Sequence, residues 1–141
     1  LTGVFLCSQA AGRVMVKQGS GVIINISSML GVIAIPLRTA YCATKAGVIG
    51  LTKALAVEWA KYGIRVVAIG PGYVATERVI DLMRRGVVNE EALKKRTPMG
   101  RLATPEEIAK LAVYLASDDA QYITGETIFI DGGFTAFGGP I

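Results

Sequence analysis

Apolar positions run along this chain in alternating helical and strand-like stretches. Residues Leu1 to Gln18 read as a helix that is already under way at the first residue, and Gly19-Ser20-Gly21 stops it. The β-branched run from Val22 to Ile26 then predicts a short strand buried on both faces. From Ser27 to Thr39 the pattern is irregular and includes Gly31 and Pro36. A strand-to-helix connection of that length is more often functional than idle.

A second helix is predicted from about Ala40 to Tyr62, with two distinct faces at helical spacing. One is bulky, with Val48, Leu51, Leu55 and Trp59, and the other is small, with Ala43, Gly47, Gly50 and Ala54. Glycines weaken a helix unless something approaches closely, so the small face predicts a tight helix contact, including one between subunits. Gly63 ends the helix. Ile64 to Ile69 gives a second buried strand, broken by Gly70-Pro71-Gly72.

The stretch from about Thr76 to Thr97 looks helical but is rich in Arg and Glu and interrupted at Gly86, so it reads as a mobile cover. Thr104-Pro105-Glu106-Glu107 has the form of a capping box, and Ile108, Leu111, Ala112 and Leu115 follow on one helical face. Thr127 to Ile130 forms a third strand, closed by Asp131-Gly132-Gly133. Strands alternating with helices imply an α/β fold of parallel βαβ units with helices on both faces of the sheet.

Composition narrows the chemistry. A hydrophobic share of 52% in 141 residues predicts a buried core in one domain. With no His and only Cys7 and Cys42, thirty-five residues apart, no metal site is expected, and the cysteines read as two free buried thiols in a reducing compartment. The formal charge of +4 is spread along the chain, which argues against nucleic acid as a partner. No apolar run approaches the ~18 residues of a membrane span, so a soluble, cytoplasmic protein is expected.

Tyr41 and Lys45 are four apart on the predicted helix and rise on one face. A phenol is a poor base at neutral pH, but an ammonium ~4 Å away at an effective dielectric of ~20 contributes about 4 kcal/mol toward its ionised form. That is the tuning a general acid/base requires. The spacing alone is weak, since a chain with five tyrosines supplies it by chance fairly often. Ser28 strengthens it: it follows a buried strand thirteen residues before Tyr41, and open α/β sheets bind ligands where their parallel strands end.

Four segments carry a resemblance. Asn25 to Gly31, Tyr41-Cys42-Ala43-Thr44-Lys45, Gly70 to Thr76, and Gly125 to Gly133 together resemble the single-domain branch of the short-chain dehydrogenase/reductases, in order and at the expected spacing. The resemblance covers essentially all 141 residues. It implies the carboxy-terminal, catalytic part of a Rossmann-like doubly wound parallel sheet, and an oxidoreductase that interconverts an alcohol and a ketone or aldehyde with NAD or NADP. Ser28 would hydrogen-bond the substrate oxygen, Tyr41 would exchange a proton with it, and Lys45 would ease that exchange and hold the ribose hydroxyls. Pro71, Gly72, Val74 and Thr76 would meet the nicotinamide end, with Gly70 and Gly72 clearing space for a flat ring. Leu30, Leu37, Arg38 and Tyr73 are candidates for the substrate wall. The resemblance also implies a homo-dimer or homo-tetramer.

The family's Gly-rich phosphate turn and its Asn-Ala-Gly segment do not occur here, and Val67 stands where the family commonly has Asn. The missing features fall together on the amino-terminal side, so the chain is expected to be a piece of a longer protein. Two other readings use the same residues: an epimerase or dehydratase that retains its NAD, and a non-catalytic piece acting in assembly. On this reading the 141-residue chain by itself binds a nicotinamide dinucleotide poorly; calorimetry giving micromolar affinity would overturn that expectation.

Overall fold

A computed structural model describes residues 1–138. Helix α1 (Thr2–Gln18) ends at Gly19, whose φ of 72° provides the left-handed turn into strand β1 (Gly21–Ile26). A single 3₁₀ turn, Met29–Gly31, lies between β1 and helix α2 (Thr39–Trp59). Strand β2 (Ile64–Pro71) follows, then the short helices α3 (Glu77–Arg84) and α4 (Glu90–Arg96), helix α5 (Pro105–Ala116) and strand β3 (Thr127–Ile130).

The three strands form one parallel sheet in the order β1-β2-β3. Strand periodicity divides its side chains between two cores. Ile64 and Val66 point to one face and pack with Leu55 and Ala56 of α2, with Met15, Val16 and Trp59 around them. Val67 and Ile69 point to the other, against Leu115, with Ile108, Leu111 and Ala112 of α5. The sheet is therefore covered on both sides, as the alternation of strands and helices predicts. Val67 is completely buried in the second of these cores.

Among the described residues only β2 has neighbours on both edges, and it is the strand buried along most of its length. β1, expected to be buried on both faces, is largely half-buried because it lies at the edge of the sheet. Thr104 and Glu107 form the predicted capping box, with the Thr104 hydroxyl accepting the Glu107 amide and the Glu107 carboxylate accepting the Thr104 amide. Gly86, at φ 70°, separates α3 from α4.

The expectation of buried thiols needs correction, and the small face of α2 is met within this chain at one of its two glycines. The small face of α2 meets a neighbour at Gly47, where an added Cβ would lie 2.8 Å from the Leu1 side chain, but a Cβ on Gly50 would meet nothing within 4 Å. A contact of α1 with α2 also falls on the bulky face, where a Cβ on Gly12 would stand 2.5 Å from the Trp59 ring. The thiols are free, yet Cys7 is exposed on α1, and Cys42 is only partly buried, packing beside Met29, Leu30 and Phe134.

Leu115 has no exposed surface and closes the core between α5 and the sheet. Leu115→Ala is expected to lower unfolding stability by about 3 kcal/mol, the usual cost of a buried leucine cavity, read as a shift of the urea midpoint at unchanged slope.

Candidate active site

Ser28 and Lys45 lie at the carboxyl end of β1, and Tyr41 stands one helical turn before Lys45 on α2. Ser28 follows β1 directly, with an extended backbone, and caps the 3₁₀ turn: its Oγ accepts the Leu30 amide at 3.1 Å. Its residue is only 7% exposed. A hydroxyl that accepts in this way retains its proton for an external acceptor.

Tyr41 and Lys45 occupy the first turns of α2. Lys45 Nζ lies 5.5 Å from the centroid of the Tyr41 ring and donates to the Ile26 carbonyl at 2.8 Å. The ammonium thus sits at the end of β1, two residues from Ser28, with two further donors to offer. Ser27 Oγ donates to the Lys45 carbonyl at 2.9 Å, and deeper in the same seam Asn25 Nδ2 donates to Thr52 Oγ1 at 3.0 Å. Helix and strand are joined on both sides of the lysine. Tyr41 remains 44% exposed.

Pro71 ends β2, and the Gly72 amide donates to the Ile130 carbonyl at 3.0 Å. The glycines here have a reason within the chain itself. A Cβ on Gly70 would fall 2.5 Å from the Phe129 ring, and one on Gly72 2.7 Å from Asp131 Cα. They make room for β3 and the turn after it.

Beyond them, Val74 forms a parallel bridge with Ala103. The Ala103 amide donates to the Tyr73 carbonyl at 2.9 Å, and the Ala75 amide donates to the Ala103 carbonyl at 2.8 Å. This pattern turns the Val74 N–H away from Ala103, and it has no partner among the described residues. A free main-chain donor at a strand end fits the carboxamide oxygen of a nicotinamide, and the spare donors of Lys45 fit a ribose diol. Thr76 caps α3, its Oγ1 accepting the Val79 amide at 3.4 Å.

The expected substrate-wall residues divide by burial. Leu30 is buried with Met29 and Phe134, so it shapes the wall from behind. Tyr73 packs against the same cluster, its ring edge-on to Phe134 at 5.7 Å. Burial pushes the Tyr73 phenol up, and the nearby Arg38 guanidinium partly offsets this. Arg38 precedes α2 and is exposed, and Leu37 beside it is 95% exposed with a left-handed φ of 62°. A small cavity of about 70 Å³ is lined by Tyr73, Thr97, Arg101, Ala103 and Asp131, among others.

Three features of this end of the sheet have no local signature in the sequence. Arg96 lies between two rings, 4.5 Å from Phe134 and 4.8 Å from Phe137, and donates to both of their carbonyls. Asp131 organises the following turn. Burial pushes its carboxyl up, but hydrogen bonds from the Thr135 hydroxyl and from the amides of Thr135, Gly133 and Phe134 outweigh this, and its pKa ends below the ordinary carboxylate value. The third is the pairing of Arg101 with Glu107.

A parallel sheet covered on both faces, with Ser28, Tyr41 and Lys45 at its carboxyl end, is the architecture of a dinucleotide-dependent α/β enzyme fold. Residues 1–135 match the family model described as enoyl-(acyl carrier protein) reductase, and the chain belongs to this family of short-chain dehydrogenase/reductases. It is 46% identical over 135 residues to an NAD-dependent glycerol dehydrogenase of Listeria innocua, covering 96% of this chain and 52% of that one. It is also 46% identical over 137 residues to a galactitol 2-dehydrogenase (L-tagatose-forming) of Cereibacter sphaeroides, covering 96% and 54%. Among solved structures, a gluconate 5-dehydrogenase from Burkholderia cenocepacia, in complex with NADP and tartrate, superposes with a TM-score of 0.89 at 40% identity, covering 97% of this chain and 53% of that one. The chain spans about half the length of these relatives.

Glu107 is the most perturbed acid described. Two bonds from the Arg101 guanidinium, at 2.6 and 2.8 Å, and the Thr104 amide hold its pKa down to about 2, against an ordinary value of 4.5. A depressed carboxylate contributes stability that is complete above its unfolded pKa and fades as pH falls through the folded one. The stability difference between the wild type and Glu107→Gln is therefore expected to be constant above about pH 5 and to shrink from about pH 4.5 toward pH 2, measured by denaturation at stepped pH.

Proposed function

We propose that this chain is the catalytic part of an NAD(P)-dependent oxidoreductase that interconverts a small alcohol, of the polyol or hydroxyacid kind, and the corresponding carbonyl compound. The observation that supports the reading is the joining of Lys45 to Ile26 and Ser27 at the end of β1, just before Ser28, with the Tyr41 ring 5.5 Å from the same ammonium. The names of the relatives, dehydrogenases of glycerol and galactitol, support the substrate class.

A nicotinamide dinucleotide, when bound, supplies or accepts the hydride. Ser28, with its Oγ anchored by the Leu30 amide, donates its free proton to the substrate oxygen and orients the carbonyl. Tyr41 delivers a proton to that oxygen as charge builds on it during reduction, and takes the proton away during oxidation. Lys45 places positive charge beside the phenol and turns its remaining N–H groups toward the ribose. The Val74 amide, turned away from Ala103, would hold the carboxamide of the nicotinamide. Arg38, exposed at the start of α2, is the group that would meet an anionic substituent on the substrate.

Tyr41→Phe keeps the ring and removes only the exchangeable proton. It is expected to lower kcat by about 10²-fold or more while leaving the affinity for NAD(P)H within a small factor, followed by cofactor absorbance in the presence of polyols and their ketones. Turnover that survives this substitution would sink the proton-transfer role. Turnover without net change in NAD(P)H absorbance would instead identify an epimerase or dehydratase that retains its cofactor.

A further inference from the structure

Arg101 and Glu107 stand apart from Ser28, Tyr41 and Lys45, yet they hold the backbone on which Val74 hangs. The Arg101 guanidinium grips both carboxylate oxygens of Glu107 and also donates to the Leu102 carbonyl at 3.1 Å. The Thr104 amide donates to the same carboxylate at 2.8 Å, and the Glu107 amide donates in return to the Thr104 hydroxyl oxygen. These bonds fasten Leu102 and Thr104, the residues on either side of Ala103, to the first turn of α5.

Ala103 in turn holds the loop after β2 through both of its main-chain groups, to Tyr73 and to Ala75. That bridge decides which way the Val74 amide points. An isolated exposed ion pair adds little to global stability, but a two-pronged Arg–carboxylate contact fixes geometry. Here the geometry it fixes belongs to the loop from Tyr73 to Thr76.

We propose that Arg101 and Glu107 are positioning residues for the nicotinamide end of the cofactor: by immobilising Ala103 they hold the Val74 amide where the carboxamide oxygen is received. This rests on the nicotinamide reading of that loop given above. Neither side chain touches the reacting atoms. Their effect passes through two main-chain hydrogen bonds, and small misplacements of a positioning group are expensive in binding and rate.

The test has two arms, applied to Arg101→Met, to Glu107→Gln, which keeps an acceptor for the Thr104 amide, and to the conservative Arg101→Lys. The first arm is residue-resolved amide hydrogen exchange on the cofactor-free chain. In Arg101→Met the Ala75 and Ala103 amides are expected to exchange about tenfold faster while the Ile69 amide in β2 stays protected, with Arg101→Lys recovering part of the protection. Faster exchange confined to Thr104 and Glu107, with Ala75 unchanged, would overturn the positioning. The second arm is NADPH affinity by fluorescence titration of the longest form of the protein available. Arg101→Met and Glu107→Gln are expected to weaken it about tenfold, with a smaller change in kcat at saturating cofactor. Unchanged affinity despite a loosened loop would overturn the link to the cofactor. A wild type that binds neither NADH nor NADPH, with the exchange response intact, would overturn the nicotinamide reading and leave Arg101 and Glu107 as loop staples only.

Discussion

The structure depends on how Lys45 is held against the end of β1. Helical spacing alone sets Tyr41 and Lys45 on one face, but it says nothing about where that face lies relative to Ser28. That relation is fixed by two bonds pointing in opposite directions. The Ser27 hydroxyl donates to the Lys45 carbonyl, and the Lys45 ammonium donates to the Ile26 carbonyl. The Asn25–Thr52 pair, buried two helical turns further along, prevents the helix from sliding along this seam. Each such bond contributes on the order of 1 kcal/mol, but a polar group buried without its partner costs more, so the three together favour a single register. The turn carrying Ser28 closes onto the same place: a Cβ on Gly31 would lie 3.0 Å from the Lys45 carbonyl oxygen.

The opposite wall of the site is held by residues far along the chain. Asp131 gathers the Thr135 hydroxyl and successive amides into a tight turn that delivers Phe134 to Met29 and Leu30, behind Ser28. Arg96, stacked between Phe134 and Phe137, ties the end of α4 to that turn. Thr76 caps the other end of the intervening segment at α3. The segment carrying α3 and α4 is thus tied to the Asp131 turn at its far end.

Much of this was legible in the sequence wherever the cause is local. Periodicity placed the helices α1, α2 and α5 and all three strands, and the Thr104 capping box appears as the spacing requires, because a cap is settled within four residues. The Tyr41–Lys45 pair is local in the same sense. What sequence reasoning missed depends on partners distant in the chain. Arg101 meets Glu107 across the start of a helix, Arg96 meets rings some forty residues later, and Gly12 is small because of Trp59. The contact of Gly12 with Trp59 therefore went unforeseen, and Cys7 was expected in the interior.

Gly70 and Gly72 show the same dependence on distant partners. Glycine at a strand end beside a suspected nucleotide site invites the explanation that a ring must lie there. The atoms that exclude a side chain belong to Phe129 and Asp131, so the demand comes from β3 packing beside β2. The two explanations differ in consequence. A glycine that clears space for a ligand could be replaced at the cost of affinity alone, whereas one that admits a neighbouring strand cannot be replaced without moving that strand, and with it the Asp131 turn and Phe134. A substitution at Gly72 would reach Ser28 from behind, through Leu30, before it reached any ligand. The main chain after β2 is therefore shaped by its neighbours on β3 and at Ala103, and the Val74 donor is exposed as a result of that packing.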